Sequence, residues 1–85
     1  MIKTRCTQGW LILDDTSIRI EGPHVNQALS RRDITNYRTR QQAPSFFGLG
    51  GGVELTIQER GGNTLQAQMV NPKAAREIIE ALKDN

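Results

Sequence analysis

The sequence predicts a mainly β fold with one C-terminal helix, an α+β domain. Between residues 9 and 70 several short segments alternate apolar with polar residues, as strands do when one face lies on a core. Glycine, proline, asparagine and aspartate separate these segments. From residue 72 the apolar residues recur every three or four positions, which is the spacing of a helix. We therefore expect one domain over residues 1–85, with strands within 2–70 and a helix over about 72–83.

The first predicted hairpin spans residues 9–22, GWLILDDTSIRIEG. Leu11 and Leu13 share one face before a DDTS turn, whose short polar side chains can bond to the nearby backbone. Two isoleucines alternate in the same way after the turn. Trp10 and Ile12 make the opposite face apolar as well, which predicts a second apolar surface that something covers.

The middle of the chain, residues 27–42, predicts one or two strands. Ile34 and Tyr37 are three positions apart, which breaks the strict alternation of a strand. We therefore expect a bulge or a short turn between them.

Residues 53–70 predict the clearest hairpin, with one face on the core and one in water. A three-residue loop centred on Gly62 would place Ile57 opposite Ala67 and keep the apolar residues on one face. A two-residue loop would mix apolar and polar residues on each face. The side chains expected to point inward are Leu55, Ile57, Leu65, Ala67 and Met69.

The predicted helix begins after Asn71, which is a good N-cap, and Pro72 suits the first helical position. Because the helix is short, its stability must come mostly from packing on the sheet. The apolar stripe that would face the sheet is Ala75, Ile78, Ile79 and Leu82.

Cysteine and histidine are too few for a disulfide or a zinc site. Cys6 is the single cysteine and His24 the single histidine, so neither an intrachain disulfide nor a Cys/His zinc site can form. We expect Cys6 to be a structural residue and the protein to need no metal or other cofactor. The N-terminal residues show no long apolar run, so we also expect no signal peptide and a cytoplasmic protein.

The residues that could support catalysis are poorly arranged for it. A nucleophile needs an adjacent base, and His24 stands beside a proline with no such partner in the sequence. Asp14 and Asp15 are neighbouring carboxylates, but they lie in a predicted turn, where aspartate is common. The run Gly48–Gly52 opens a strand rather than a helix, so it does not match a phosphate-binding loop. We therefore expect no enzymatic activity and no small-molecule substrate.

The basic residues are concentrated in the segment SRRDITNYRTRQ, although the net charge of the whole chain is only +2. Arginines beside a tyrosine can bind a single-stranded nucleic acid or another anionic polymer. An ordinary solvated basic strand is the alternative interpretation. The candidate anion-binding residues are Arg31, Arg32, Arg38 and Arg40.

Four segments give the chain a resemblance to the bacterial pleckstrin-homology-like domains. They are GWLILDDTSIRIEG, RRDITNYRTRQ, FFGLGGGVELTIQERGG and NPKAAREIIEAL. The resemblance covers most of the chain and implies a strongly bent, partly open β-barrel or sandwich, capped by the C-terminal helix. It also implies a scaffold for protein or lipid contacts without a common enzymatic activity. This chain is shorter than such domains usually are, and its acidic DDTS loop disfavours a lipid headgroup.

An apolar segment before the last hairpin completes the predicted functional surface. Phe46, Phe47 and Leu49 stand among glycines. Because glycine has no side chain, the neighbouring chain offers little to cover these three apolar residues. We expect at least one of the phenylalanines to contact another subunit or a partner together with Trp10 or Ile12. The alternative is that all three turn inward and anchor the chain's own core. The predicted function is therefore a non-enzymatic interaction module that self-associates or docks on a protein partner. The alternative is an anionic partner, either a membrane surface or nucleic acid, on the four arginines.

Overall fold

The computed structural model describes residues 1–41 and 52–83, apart from the side chain of Met69. Within these residues, two antiparallel sheets precede one helix, which confirms the predicted mainly β fold with a C-terminal helix. The sheets are not closed into a barrel in this part of the chain. The strands are β1 Ile2–Cys6, β2 Gly9–Leu13, β3 Ser17–Glu21, β4 Asn26–Ser30, β5 Ile34–Gln41, β6 Val53–Glu59 and β7 Thr64–Val70, and the helix α1 is Pro72–Lys83.

The first sheet has the strand order β1-β2-β3-β4. The predicted hairpin of residues 9–22 is confirmed as β2 and β3, in which Leu11 pairs with Ile20. It is the second hairpin of the chain and not the first, because β1 precedes it and pairs Ile2 with Leu13. The alternation in β1 is carried by small and charged residues, so the apolar period that marks a strand is weak there.

The second sheet has the order β5-β6-β7 and begins after a single 3₁₀ turn, Arg31–Asp33. The register of β5 against β6 shifts between Ile34 and Asn36. This shift confirms the irregularity that was expected between Ile34 and Tyr37, and it lets Ile34 and Tyr37 both pack against the core.

The β6–β7 loop has the predicted odd length, but its predicted centre is wrong by one residue. Ile57 pairs with Leu65, and the amide of Glu59 donates to the carbonyl of Asn63 at 2.8 Å, which leaves Arg60–Gly62 as the loop. Gly61 and Gly62 have φ values of 98° and 97°, so the loop includes both residues that need positive φ, and Asn63 returns to the ladder.

The inward face of this hairpin is confirmed for all predicted side chains that the structure describes. They are Leu55, Ile57, Leu65 and Ala67, each fully buried, while the side chain of Met69 lies outside the described part. Val70 is also fully buried, since a register shift between Val53 and Leu55 pairs it with Val53. The opposite face is less wet than expected at Thr56, which is only 4% exposed on the central strand.

Within the described residues, one hydrophobic core joins the two sheets and the helix. The side-chain oxygen of Asn71 accepts the amide of Lys73 at 2.9 Å, which confirms the predicted N-cap of α1. Ile79 is half-buried at the edge of the core. No helix within 1–41 and 52–83 has the length and apolar character needed to cross a bilayer. The buried core residues are Cys6, Leu11, Leu13, Ile18, Ile20, Leu29, Leu55, Ile57, Leu65, Ala67, Val70, Ala75, Ile78 and Leu82.

The sheets meet along the outer edge of β7. The amide of Thr7 donates to the carbonyl of Gln68 at 2.8 Å, and the side chain of Gln27 donates to the carbonyl of Thr64 at 2.6 Å. The edge of a sheet otherwise leaves these backbone groups unpaired. Hydrogen bonding at this edge therefore holds the two sheets together in addition to the shared core.

The turn between β1 and β2 crosses the end of β3 at very short range. A Cβ atom built on Gly22 would lie 1.8 Å from the carbonyl oxygen of Gln8, and one built on Gly9 would lie 2.3 Å from that of Glu21. Gly9 also has a φ of 143°, which side-chain-bearing residues rarely adopt. Glycine is required at both positions because backbone touches backbone there.

Candidate functional site

Trp10 lies on the outer face of the four-stranded sheet, away from the shared core. Trp10 is 38% exposed, and together with Met1 it makes up the exposed large apolar residues in the described part of the chain. Trp10 pairs with Arg5 on β1 and with Glu21 on β3. The outward alternation of β2 therefore presents an indole ring among charged neighbours.

Two cations lie over the indole ring of Trp10. The ammonium of Lys3 is 4.8 Å from the ring centroid, and the guanidinium carbon of Arg5 is 5.0 Å from it. The β1–β2 register explains this arrangement, because Arg5 is directly opposite Trp10 and Lys3 lies two residues further along the same face. We call these three residues, Lys3, Arg5 and Trp10, the Trp10 cluster.

The carboxylates near the Trp10 cluster pair with Arg19 and not with the two cations of the cluster. Asp14 and Glu21, the acidic residues of this region, both form ion pairs with Arg19. Within the described residues, neither Lys3 nor Arg5 forms an ion pair. The cluster therefore combines an exposed aromatic ring with two cationic groups that can accept an anionic partner.

Ile12 shares the outer face of β2 with Trp10, as the sequence predicted. It is only 4% exposed, yet it does not belong to the shared core. Its cross-strand neighbours are Lys3 and Arg19. Phe46, Phe47 and Leu49 lie outside the described residues, so their contact with Trp10 or Ile12 stays a prediction.

A surface cleft of about 440 Å³ adjoins the Trp10 cluster at the β1–β2 turn. Arg5 belongs both to the cluster and to the wall of this cleft. His24, which the sequence placed in a loop, and the buried Cys6 also line the cleft. Arg5 therefore lies between the outer face of the sheet and a concave region.

The four candidate anion-binding arginines are divided between two places. Arg31 donates to the carbonyl of Asp14 at 2.9 Å and to that of Ala81 at 2.8 Å, so its guanidinium connects a turn with the end of α1. Arg32 is exposed and lines a separate cleft of about 400 Å³ beside Asp15.

Arg38 and Arg40 are exposed on β5, where they pair with Thr56 and Glu54. At a rise of about 3.3 Å per residue, Arg40 is roughly 20 Å along the strand from Ile34, where β5 begins. The spacing of the arginines in the sequence therefore does not produce one continuous basic surface.

The Asp14 carboxylate is committed to the β2–β3 turn. It accepts the amides of Thr16 and Ser17 at 2.9 and 2.8 Å, and it pairs with Arg19. These backbone hydrogen bonds, followed by the contact with Arg19, hold the pKa of Asp14 well below its usual range. Asp14 therefore stays ionised and has its lone pairs engaged in the turn.

Metal ligands do not gather anywhere in the described residues: no group of three or more histidine, cysteine or acidic side chains could hold an ion there.

Sequence reasoning identified Trp10 but missed its two cationic neighbours. The alternation of Lys3 and Arg5 with Ile2, Thr4 and Cys6 is the signal that could have found them, since it marks one polar and one mixed face of a strand.

The fold and the site define a small two-sheet β domain with a C-terminal helix and an exposed cation-flanked tryptophan. Comparisons with protein-family models, with curated proteins and with solved structures each found no match.

Proposed function

We propose that this protein is a non-enzymatic interaction module that self-associates or docks on a protein partner through the outer face of its four-stranded sheet. The observation that carries the proposal is the exposure of Trp10 on that face, beside Ile12 and outside the shared core. Tryptophan and arginine are the residue types most enriched among those that dominate protein interfaces.

The free energy gained when a partner buries the exposed part of Trp10 is large enough to contribute to binding. The 38% of Trp10 that is exposed corresponds to roughly 60–95 Å² of a side chain that can bury about 150–250 Å². At about 25 cal/mol per Å², its burial contributes roughly 2 kcal/mol. A partner that also covers Phe46 and Phe47 would bury more apolar area in the same contact.

The resemblance to the bacterial pleckstrin-homology-like domains belongs to the same proposal. The succession of strands followed by one amphipathic helix supports it, as does the packing of α1 on the shared core. Under this proposal the two sheets form a bent, partly open sandwich, the helix caps it, and the protein acts in the cytoplasm as a scaffold and not as an enzyme.

A second candidate function is binding of a membrane surface or nucleic acid through arginine side chains. The exposure of Arg38 and Arg40 on one face of β5 favours it. Arg31 contributes less, because its guanidinium already binds two backbone carbonyls. Phosphate contacts weaken steeply with salt, whereas apolar association does not, so salt dependence separates the two functions.

Sedimentation equilibrium at low and high salt tests the proposal. If the chain self-associates, the wild type has a mass above that of one chain at both salt concentrations. The Trp10→Ser variant and the Phe46→Ser/Phe47→Ser double variant then stay folded by circular dichroism and have lower masses, while Trp10→Phe largely restores the wild-type mass. If the wild type is one chain, partner docking must be shown by selecting binding peptides from a displayed library, and their affinity must fall in Trp10→Ser. Binding that is indifferent to Trp10 in both experiments contradicts the proposal.

A further inference from the structure

We propose that the Trp10 cluster binds an acidic segment of a partner polypeptide, with carboxylates on Arg5 and Lys3 and an apolar side chain against the indole of Trp10. This inference rests on the proposed function, because it assigns the partner chemistry of the same surface. It follows from three properties of the described residues: the charges on this face, the position of the Arg5 guanidinium, and the two cations that lie over the indole ring.

The charges on this face favour an acidic partner. Asp14 and Glu21 both pair with Arg19, and these three side chains together carry a net charge of −1, whereas Lys3 and Arg5 form no ion pair within the described residues. Lys3 and Arg5 therefore bring the net charge of these five side chains to +1, and they are the two cations among them that no described carboxylate contacts. An acidic segment completes these pairs, and a basic segment is repelled.

The position of Arg5 provides a geometric reason for a carboxylate. Its guanidinium lies over Trp10, and the residue also lines the cleft of about 440 Å³ at the β1–β2 turn. A guanidinium presents a planar set of donors that matches a carboxylate in a two-point hydrogen bond. His24 lines the same cleft, and its imidazole offers further polar atoms to an extended acidic segment.

The two cations over the indole ring favour a polypeptide over a nucleic acid as the partner. Proteins that bind single strands stack bases on open aromatic faces. The ring of Trp10 instead carries two cationic groups within 4.8 and 5.0 Å of its centroid. A base would have to compete with them for the ring, whereas a carboxylate binds the cations and leaves their contact with the ring in place.

A random dodecapeptide library displayed on phage and selected against the full-length chain tests the inference. Trp10 is the single tryptophan, so its fluorescence reports binding of each selected peptide directly at the proposed site. Affinity is also measured by anisotropy of dye-labelled peptides against the Lys3→Gln/Arg5→Gln variant. The matched control is Arg38→Gln/Arg40→Gln, which removes the same charge from β5. Circular dichroism verifies that both variants are folded.

We expect the selected peptides to combine glutamate or aspartate with an apolar residue and to change the emission of Trp10. Their affinity should fall at least about tenfold in the Lys3/Arg5 variant and stay within about twofold in the Arg38/Arg40 control, because loss of charge-assisted hydrogen bonds has an effect of that size. Higher salt should weaken binding to the wild type more than to the Lys3/Arg5 variant.

Several results would overturn the inference. If selected peptides lose affinity in Trp10→Ser but not in the Lys3/Arg5 variant, the docking surface stands and its acidic specificity is wrong. If no peptide is enriched, or if binding depends on neither Trp10 nor the cations, the inference fails together with the partner-docking function. Tighter binding of oligo(dT) or of phosphatidylserine vesicles than of any selected peptide, with a change in Trp10 emission, would assign the surface to nucleic acid or to membrane instead.

Discussion

The side-chain nitrogen of Gln8 donates a hydrogen bond of 2.8 Å to the carbonyl of Gln66, which lies 58 residues further along the chain. The side-chain oxygen of Gln8 also accepts the amide of Gln68 at 3.2 Å. A single side-chain amide thus takes the place of a peptide group from a neighbouring strand at the edge of β7. This contact attaches the first hairpin of one sheet to the last strand of the other.

Replacement of Gln8 by alanine should lower the free energy of unfolding by about 1–2 kcal/mol, because two backbone groups lose their protein partner. Urea denaturation measures the change. Gln66→Ala is the control, since it keeps the backbone carbonyl that Gln8 binds, and its effect should stay within about 0.5 kcal/mol. Equal effects of the two substitutions would mean that the amide contact does not stabilise the junction.

The close approach of two backbones makes Gly22 less tolerant of substitution than the glycines of the β6–β7 loop. Gly22→Ala should destabilise the fold by about 2–3 kcal/mol, because the new Cβ would meet the carbonyl oxygen of Gln8 at 1.8 Å and the turn must shift. Gly61→Ala provides the comparison: a Cβ there has no atom within 4 Å, and only its positive φ is unfavourable, by about 1 kcal/mol. Thermal unfolding should rank Gly22→Ala as the less stable variant, and the reverse order would contradict the observed crossing.

Protonation of Asp14 should weaken the fold in acid. Its folded-state pKa lies below its ordinary value of 3.8, so its contribution is complete above that value and is lost as the pH falls toward the folded-state pKa. Asp14→Asn should therefore be less stable than the wild type at pH 7, by a margin that decreases at pH 3. Urea denaturation at both pH values measures the margin. Asp15→Asn is the matched control, and a margin for Asp14→Asn that is the same at both pH values would argue against this role.

Two neighbouring arginines should differ sharply in their effect on stability. Arg31 donates to a turn carbonyl and to the carbonyl of Ala81 in the last turn of α1, where helix carbonyls lack partners within the helix. Arg31→Ala should lower the free energy of unfolding by about 2 kcal/mol, and Arg32→Ala by no more than about 0.5 kcal/mol. Denaturant unfolding distinguishes them. A larger loss in Arg32→Ala would show that the contacts of Arg31 contribute little.

The outcomes at the β6–β7 hairpin and at β1 show why some elements could be predicted and others could not. The odd loop length followed from the alternation of side chains, because a shift by one residue would move every apolar side chain to the wrong face. The centre of the loop could not be predicted in this way. A shift of the loop by one residue keeps the apolar side chains on the same face, and it places Leu65 instead of Ala67 opposite Ile57. At β1, pairing with β2 leaves Ile2 and Thr4 half-buried and Cys6 buried, although the apolar alternation of the strand itself is weak.

The candidate site was predicted in part. Trp10 and Ile12 were identified because they interrupt the polar face of a strand, and that is visible within five residues of sequence. The cations over the ring were missed because they become neighbours of Trp10 only when β1 pairs with β2. The four arginines were grouped because they are close in sequence, but the turn at Arg31–Asp33 and the length of β5 separate them.

The sequence by itself determined the features that depend on neighbouring residues: the β2–β3 hairpin, the inward face of β6 and β7, and the helix with its Asn71 cap. Alternation, helical spacing and capping all act over a few positions, so a short segment contains the whole signal. Only the tertiary structure decided the junction at Gln8, the Gly9–Gly22 crossing and the Trp10 cluster. Each of these joins groups on different strands or turns, and their contact depends on strand register and sheet packing, which no local period contains.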